Sequence, residues 1–188
     1  MNATQKVQAR ADDKAGRAVP DRAALDKAMA DQGLTALWKV YDKLVTKEPS
    51  DAVPSHIWRW QDLAPVVGMA AASVTGHDAD HRVLVLGNPN LKGRVASVTN
   101  IVGAIQCVNP GERTSPHRHT PAAVRVVLEG AGESSVGAVT HRWQKHDVFT
   151  LPEWAWVSHK ASGAPARLLL VTDREVRRRL GLLREERG

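Results

Sequence analysis

The stretch that decides the fold is Pro110-Gly111-Glu112-Arg113-Thr114-Ser115-Pro116-His117-Arg118-His119, which places two histidines one residue apart behind a Pro-Gly turn. An apolar run typical of a β-strand, residues 123–128, follows it. In an extended chain, residues i and i+2 point to the same side. His117 and His119 can therefore direct both imidazoles to one point while Arg118 faces away. Iron, zinc, copper and nickel all accept imidazole, so this stretch predicts half of a metal site on a strand.

The composition is that of one globular domain with an extension. The chain has 188 residues, of which 43% are hydrophobic, and this is enough to bury a sizeable core. No apolar run approaches the roughly 20 residues of a membrane-spanning helix, and residues 1–22 lack the apolar segment of a secretory signal. The one cysteine, Cys107, excludes an internal disulfide framework and fits a reducing compartment. We expect a cytoplasmic protein, with Cys107 as a small buried hydrophobe.

The charge distribution argues against nucleic acid as a partner. The net charge is +6, but the basic residues are spread out except near the C-terminus. There, arginines between residues 174 and 187 are mixed with glutamates, which is typical of a solvated helix face. No helix-turn-helix, zinc-finger or RNA-binding signature is present. The positive balance can attract a small anionic substrate, so we expect such a partner and neither nucleic acid nor a membrane.

Hydrophobic periodicity divides the chain into four segments. Residues 1–20 are predicted to be a flexible leader, and residues 21–80 a helical N-terminal extension packed on the following domain. Within the extension, residues 57–60 alternate like a strand. Residues 81–173 contain many short strands separated by turn signals, which predicts a small barrel or sandwich of the all-β class. A C-terminal helix is predicted over residues 174–188.

Several motifs carry a resemblance to a known family. Gly111, then five residues, then His117-x-His119, with Glu129-Gly130-Ala131-Gly132 further on, is similar to the first motif of the cupin barrel. Within the cupins, the sequence resembles gentisate 1,2-dioxygenase and its salicylate and hydroxynaphthoate relatives. The likeness runs in order over residues 34–173. Further segments that carry it are Ile57-Trp58-Arg59-Trp60, residues 81–89, Gln106 and residues 150–156.

The resemblance implies a fold and a chemistry. The fold is a single cupin, a jelly-roll barrel (double-stranded β-helix) with a helical N-terminal extension and a short C-terminal helix. The family enzymes are usually two-cupin chains about twice this length, and this chain matches the metal-bearing N-terminal half. They hold Fe(II) on three histidines and use O2 to open an aromatic ring between its carboxyl-bearing and hydroxyl-bearing carbons. The resemblance therefore implies Fe(II), or another divalent metal, on His117 and His119.

Other residues are implied to hold the substrate anion. By resemblance these are Arg82, Gln106 and Arg125, and Trp156 is implied as a further substrate-binding residue. For Arg125 the residues themselves add an argument, because a cation on an inward strand face is costly unless a partner or an anionic ligand meets it. Arg82 has a simpler interpretation, an ion pair with Asp78 or Asp80.

The chain departs from the family pattern at the third iron ligand. Val157 stands at that position, and His159 matches the histidine that faces the substrate in the family. Val102 and Ala104 replace a Trp and a Gly beside the substrate. A β-bulge could bring His159 to the metal as third ligand and catalytic residue. Alternatively, two histidines and waters hold the metal, or both histidines are polar residues of an empty barrel.

Three functional hypotheses follow. The first is a cupin metalloprotein, an oxidoreductase related to Fe(II) ring-cleaving dioxygenases, that acts with O2 on hydroxylated aromatic carboxylates such as gentisate. The second is a non-catalytic binding or sensory module with a degraded metal site, which Val157 favours. The third is a cupin with different chemistry, such as an isomerase. We also expect a homodimer, because an exposed sheet edge needs covering and residues 21–60 could provide the cover.

Overall fold

The computed structural model describes residues 21–45 and 52–188, except for the side chains of residues 77–79. The predicted leader over residues 1–20 lies outside these ranges. The chain forms two compact units, Met1–Ser50 and Asp51–Gly188. Within the described ranges, no helix is long and apolar enough to cross a membrane.

The first unit contains two helices, α1 (Arg22–Asp31) and α2 (Leu37–Leu44). An ion pair between Lys39 of α2 and Asp26 of α1, 2.5 Å long, links them. The packing of residues 21–45 on the barrel stays a prediction.

The second unit is built mainly of β-strands. The described part of this unit contains helix α3 (Trp60–Ser73), a 3₁₀ helix (Gly76–His81), helix α4 (Arg174–Arg179) and ten strands. The strands are β1 (Val83–Val85), β2 (Val102–Val108), β3 (His117–His119), β4 (Ala123–Glu129), β5 (Ala131–Val136), β6 (Val139–Gln144), β7 (Val148–Leu151), β8 (Val157–Ala161), β9 (Ala166–Thr172) and β10 (Glu185–Arg187).

These strands form two five-stranded sheets. One has the order β1-β2-β9-β4-β7 and the other β10-β3-β8-β5-β6, and every ladder within them is antiparallel. Neighbours in space are distant in the chain, which is the jelly-roll arrangement. The all-β barrel predicted from the spacing of short strands is therefore confirmed.

Strand β2 is buried on both faces. Val102, Ala104 and Gln106 face the barrel interior, while Ile105 and Cys107 pack with Val67 of α3. All seven residues of β2 are buried. The expectation that Cys107 is a small buried hydrophobe is confirmed, since it is 2% exposed and burial raises the pKa of its thiol.

Two local predictions are wrong. Residues 57–59 form no ladder, and Trp60 begins α3, because alternation alone does not supply a strand partner. The predicted C-terminal helix ends at Arg179. Gly181 follows with a φ of +70°, a left-handed conformation that ends helices. Residues 185–187 then pair with β3 as strand β10.

Candidate functional site

A cavity of about 290 Å³ opens between the two sheets. His117 and His119 of β3 line it from one sheet, and Gln106 and Arg125 line it from the other. The rest of its inner wall is largely apolar: Val83, Val85, Val102, Ala104, Ala123 and Leu170. An engineered cavity of about 150 Å³ holds benzene, so this one has room for a single substituted ring.

Backbone carbonyl groups determine which ring nitrogen of each of the two histidines carries the proton. Nδ1 of His117 donates to the carbonyl oxygen of Ser115 at 3.0 Å, and Nδ1 of His119 donates to that of Pro121 at 2.7 Å. A carbonyl oxygen can only accept, so both protons lie on Nδ1. Each Nε2 keeps its lone pair, and such an outer hydrogen bond is what orients a metal-binding histidine. The ring centroids are 5.9 Å apart, so the predicted pairing of the two imidazoles is present.

Electrostatics keep His119 neutral. Its pKa is lowered mainly by burial, and the charges of His117 and Arg125 act in the same direction. The Pro121 carbonyl and Glu185 oppose this shift. Because metals bind the neutral imidazole, His119 is in the ligating form at neutral pH.

Arg125 is a buried cation, and no carboxylate among the described residues forms an ion pair with it. Its side chain is 5% exposed, and its Nη1 donates to Oε1 of Gln106. Its Nε–H has no partner among the residues that the structure describes. Burial lowers the pKa of Arg125 to about 10, and the group stays charged at neutral pH. The cavity thus combines two metal-binding nitrogens on one sheet with an uncompensated positive charge on the other.

Comparison with known proteins identifies the family to which this barrel is similar. Residues 104–172 match the cupin domain family. The barrel is a cupin domain. This confirms the resemblance on which the predicted fold rested.

The relatives of this cupin are aromatic-acid dioxygenases. It is 34% identical over 127 residues to gentisate 1,2-dioxygenase 1 of Aquipseudomonas alcaligenes, which covers 67% of this chain and 37% of that protein. It is also 34% identical over 134 residues to 5-aminosalicylate 1,2-dioxygenase of Comamonas sp., covering 71% of this chain and 35% of that protein.

A solved structure supports the same relationship. A variant of salicylate 1,2-dioxygenase from Pseudoaminobacter salicylatoxidans, in complex with gentisate, superposes with a TM-score of 0.73 at 25% identity. The match covers 92% of this chain and 48% of that one. The chain therefore spans about half of the solved relative, and less than that of the two curated ones.

Val157 stands where the resemblance to the ring-cleaving dioxygenases implies the third metal ligand. It lies directly opposite His117 in the β3–β8 ladder, 3% exposed, and packs with Ala123, Val136 and Leu151. An isopropyl group cannot bind a metal. Within residues 21–45 and 52–188, no three side chains of His, Cys, Asp or Glu are grouped to hold a metal ion.

His159 does not line the cavity with the histidine pair. Strand β8 pairs with β5 in unbroken register from Val157 to Ala161, so the proposed bulge is absent. The ring is fully buried, its Nδ1 lies 2.7 Å from Oγ of Ser134, and its Nε2 has no partner among the described residues. Burial lowers the pKa of His159 well below its usual value, and the charges of Arg125, His117 and His119 act in the same direction. The role of His159 as third ligand and catalytic residue stays a prediction.

Arg82 is also outside the cavity. Its guanidinium donates twice to the carboxylate of Glu112, at 2.7 and 3.1 Å, and its Nε donates to the carbonyl of Val74. Glu112 accepts the backbone N–H of Asn109 as well. The simpler interpretation of Arg82 as an ion pair holds, with Glu112 in place of the two aspartates considered. Its expected contact with the substrate stays a prediction. The Pro-Gly-Glu turn therefore anchors the buried arginine.

Trp156 faces the other side of β3. The guanidinium carbon of Arg118 lies 4.8 Å from its ring centroid and 4.6 Å from that of Trp154. Arg118 points away from the cavity, as the strand alternation predicts. Trp156 is not among the cavity-lining residues, and its expected contact with the substrate stays a prediction.

The sequence alone missed the contribution of the C-terminal strand. Glu185 and Arg187 of β10 line the exposed end of the cavity, near Arg174 and Asp80. The three-residue pattern of β10 is too short to predict a strand. Its mixture of arginine and glutamate favoured a helix face instead.

Proposed function

We propose that this cupin binds a hydroxylated aromatic carboxylate in the cavity between its sheets and, with Fe(II), opens the aromatic ring with O2. The observation that carries the proposal is the buried guanidinium of Arg125. A cation at this depth calls for an anion, and its unpartnered Nε–H is a donor free for one. The gentisate complex of the related salicylate 1,2-dioxygenase supports an aromatic acid as that anion.

Two of the ligands for an iron ion fit. His117 and His119 would hold it through their Nε2 atoms, because both Nδ1 protons are engaged by backbone carbonyls. When bound, Fe(II) would supply the coordination and activation of O2 and of the substrate hydroxyl. Val157 stands where the family has its third metal ligand, and its side chain cannot bind a metal. Water or another side chain therefore has to complete the coordination.

The chain's own residues bind and orient the substrate. The guanidinium of Arg125 donates to the substrate carboxylate, forming a charge-assisted hydrogen bond. Gln106 holds that guanidinium through Nη1 and so fixes its direction. Val102, Ala104 and Leu170 contact the ring and exclude water. The ring hydroxyl would then point across the cavity to the histidine pair.

Oxygen consumption and ligand binding test this function. The protein loaded with Fe(II) under anaerobic conditions is titrated with gentisate and with salicylate, and oxygen uptake is then followed. Arg125→Met should abolish binding, while Arg142→Met, on the exposed face of β6, should leave it unchanged. Wild-type protein that neither binds a hydroxybenzoate nor consumes oxygen would refute the proposal.

A second function, a binding or sensory module without catalysis, is favoured by Val157. With a buried valine opposite His117, the cavity and its arginine persist while one imidazole ligand is missing. Gentisate binding without oxygen uptake, at saturating Fe(II), would select this alternative.

We also propose that the protein is cytoplasmic and forms a homodimer. Support for the dimer comes from strand β7, which is an edge of its sheet and carries Val148 at 62% exposure. Exposed apolar edge strands tend to pair with another chain. Sedimentation equilibrium of the full chain, compared with Val148→Lys, measures this: a monomer at micromolar concentration contradicts the dimer.

A further inference from the structure

Strand β10 brings a carboxylate next to the histidine pair. In its antiparallel ladder with β3, Glu185 is directly opposite His119 and Arg187 is opposite His117. Residues directly opposite in such a ladder point to the same face, with Cβ atoms roughly 4.5–5.5 Å apart. Glu185 therefore shares the inward face with both histidines, and it lines the same cavity.

The neighbouring residues confirm this facing. Glu186, between the two inward residues, faces outward and accepts from Nε of Arg118 at 2.7 Å. The charge of Glu185 raises the pKa of His119, which places the carboxylate within electrostatic reach of that imidazole. Strand β10 thus presents one carboxylate inward and one outward.

The geometry points to Glu185 as the third protein ligand of the metal on His117 and His119. Two histidines and one carboxylate on one face of the ion, with open positions opposite, is a ligand set of non-haem Fe(II) oxygenases. The inference rests on the proposed function only in that it concerns the same metal. Glu185 would replace the imidazole that is missing at Val157. It lies on β10, which flanks β3 on one side, whereas Val157 lies on β8 on the other side.

Glu185 is free to move to the metal. Its carboxylate lies 3.7 Å from Nε of Arg187, and its side chain is 40% exposed. Ion pairs this long and this exposed contribute little. Little therefore holds the carboxylate at Arg187, although Glu185 and the two histidines are not grouped as a metal site in this conformation.

The other carboxylate on the cavity wall, Asp80, is already committed. Its Oδ1 accepts the backbone N–H of Ser115 at 2.9 Å, and this hydrogen bond holds it to the loop before β3. It belongs to a 3₁₀ helix, outside the ladder that aligns Glu185 with His119. Asp80 is therefore the competing ligand that an experiment has to exclude.

Metal affinity measured without substrate tests the inference. Co(II) is titrated into the full chain, its visible absorption is followed, and the dissociation constant is obtained by competition with a chelator. Glu185→Gln should weaken binding by at least about 10- to 100-fold and change the absorption spectrum. Glu186→Gln removes the same charge one residue away, and Asp80→Asn removes the competing carboxylate, so both should bind like the wild type.

A rescue variant guards against misfolding as the cause. Val157→His adds an imidazole opposite His117, and in the Glu185→Gln background it should restore most of the affinity. The inference is overturned if Glu185→Gln binds Co(II) within twofold of the wild type, if Glu186→Gln or Asp80→Asn loses as much, or if the wild type binds none. In the first two results the metal still binds to the wild type, so its gentisate-dependent oxygen uptake separates a failure of this inference from a failure of the proposed function. A wild type that binds no metal would overturn the ring opening as well, and only the gentisate binding that depends on Arg125 would survive.

Discussion

Arg125→Met should make the protein more stable while it destroys the anion site. Methionine has a similar length and no charge, so it fills the inward position of β4 without needing a partner. The side chain of Arg125 is 5% exposed, and its Nη1 donates to the neutral amide of Gln106. A buried charge without an opposite charge lowers the stability of the folded protein.

The magnitude follows from the pKa. Burial lowers the pKa of Arg125 from its usual value to about 10, which corresponds to roughly 3 kcal/mol against the charged form. Losing the hydrogen bond to Gln106 costs about 1 kcal/mol. We expect a net gain of about 1–2 kcal/mol in the free energy of unfolding. Because the folded-state pKa is lower than the unfolded-state pKa, the penalty is fully present below about pH 10. It is relieved only as the pH rises above that value.

Urea unfolding at pH 7, followed by tryptophan fluorescence, measures the change. With a slope of about 2 kcal/mol per molar urea, the midpoint should rise by roughly 0.5–1 M. The exposed Arg142→Met control should shift by less than about 0.5 kcal/mol. In parallel, the affinity for gentisate should fall about 10- to 100-fold, the value of a hydrogen bond to a charged group. An Arg125→Met protein that unfolds at lower urea than the wild type would show that the guanidinium has a favourable partner in the folded barrel, and the reasoning would fail.

Three further changes have expected outcomes. Glu112→Gln leaves the fully buried guanidinium of Arg82 without its anion. Urea unfolding at pH 7 should therefore show a free energy of unfolding about 2–4 kcal/mol below that of the wild type. Because Arg82 lowers the pKa of Glu112, the difference between wild type and variant should shrink as the pH falls below about 4. Gly132→Ala would place a Cβ 2.2 Å from a backbone oxygen and 2.4 Å from an indole ring. The melting temperature of this variant should drop by several degrees, or the variant should not fold. Gly87→Ala is the control: the space around Gly87 is open, so this variant should melt near the temperature of the wild type. Burial lowers the pKa of His159, so its protonation in the unfolded state should lower the free energy of unfolding as the pH falls below about 6.5. His159→Asn should flatten this pH dependence in urea titrations. If the variant shows the same dependence on pH as the wild type, His159 is not buried in its neutral form.

Local pattern was sufficient for the barrel and for the histidine pair. Short strands with turn signals predicted the all-β class, and the period of two along β3 predicted that His117 and His119 share a face and that Arg118 does not. The same alternation, with the cost of an inward cation, singled out Arg125. These inferences needed only the geometry of an extended chain.

The sequence did not indicate the partners that three of the predicted site residues have in the structure. Arg82 was expected at the substrate and is neutralised by Glu112, thirty residues along the chain. His159 was considered as a metal ligand and is held by Ser134, on a neighbouring strand. Trp156 was expected in the cavity and stacks with Arg118 outside it.

The sequence by itself determined the class of fold, the two inward histidines and the valine at the third ligand position. Only the tertiary structure decided what lies across from them, above all that Glu185 of the C-terminal strand stands opposite His119. The reason is physical. The direction of a side chain follows from the local period of the strand, whereas the neighbouring strand in a jelly roll is set by pairing between segments far apart in the chain.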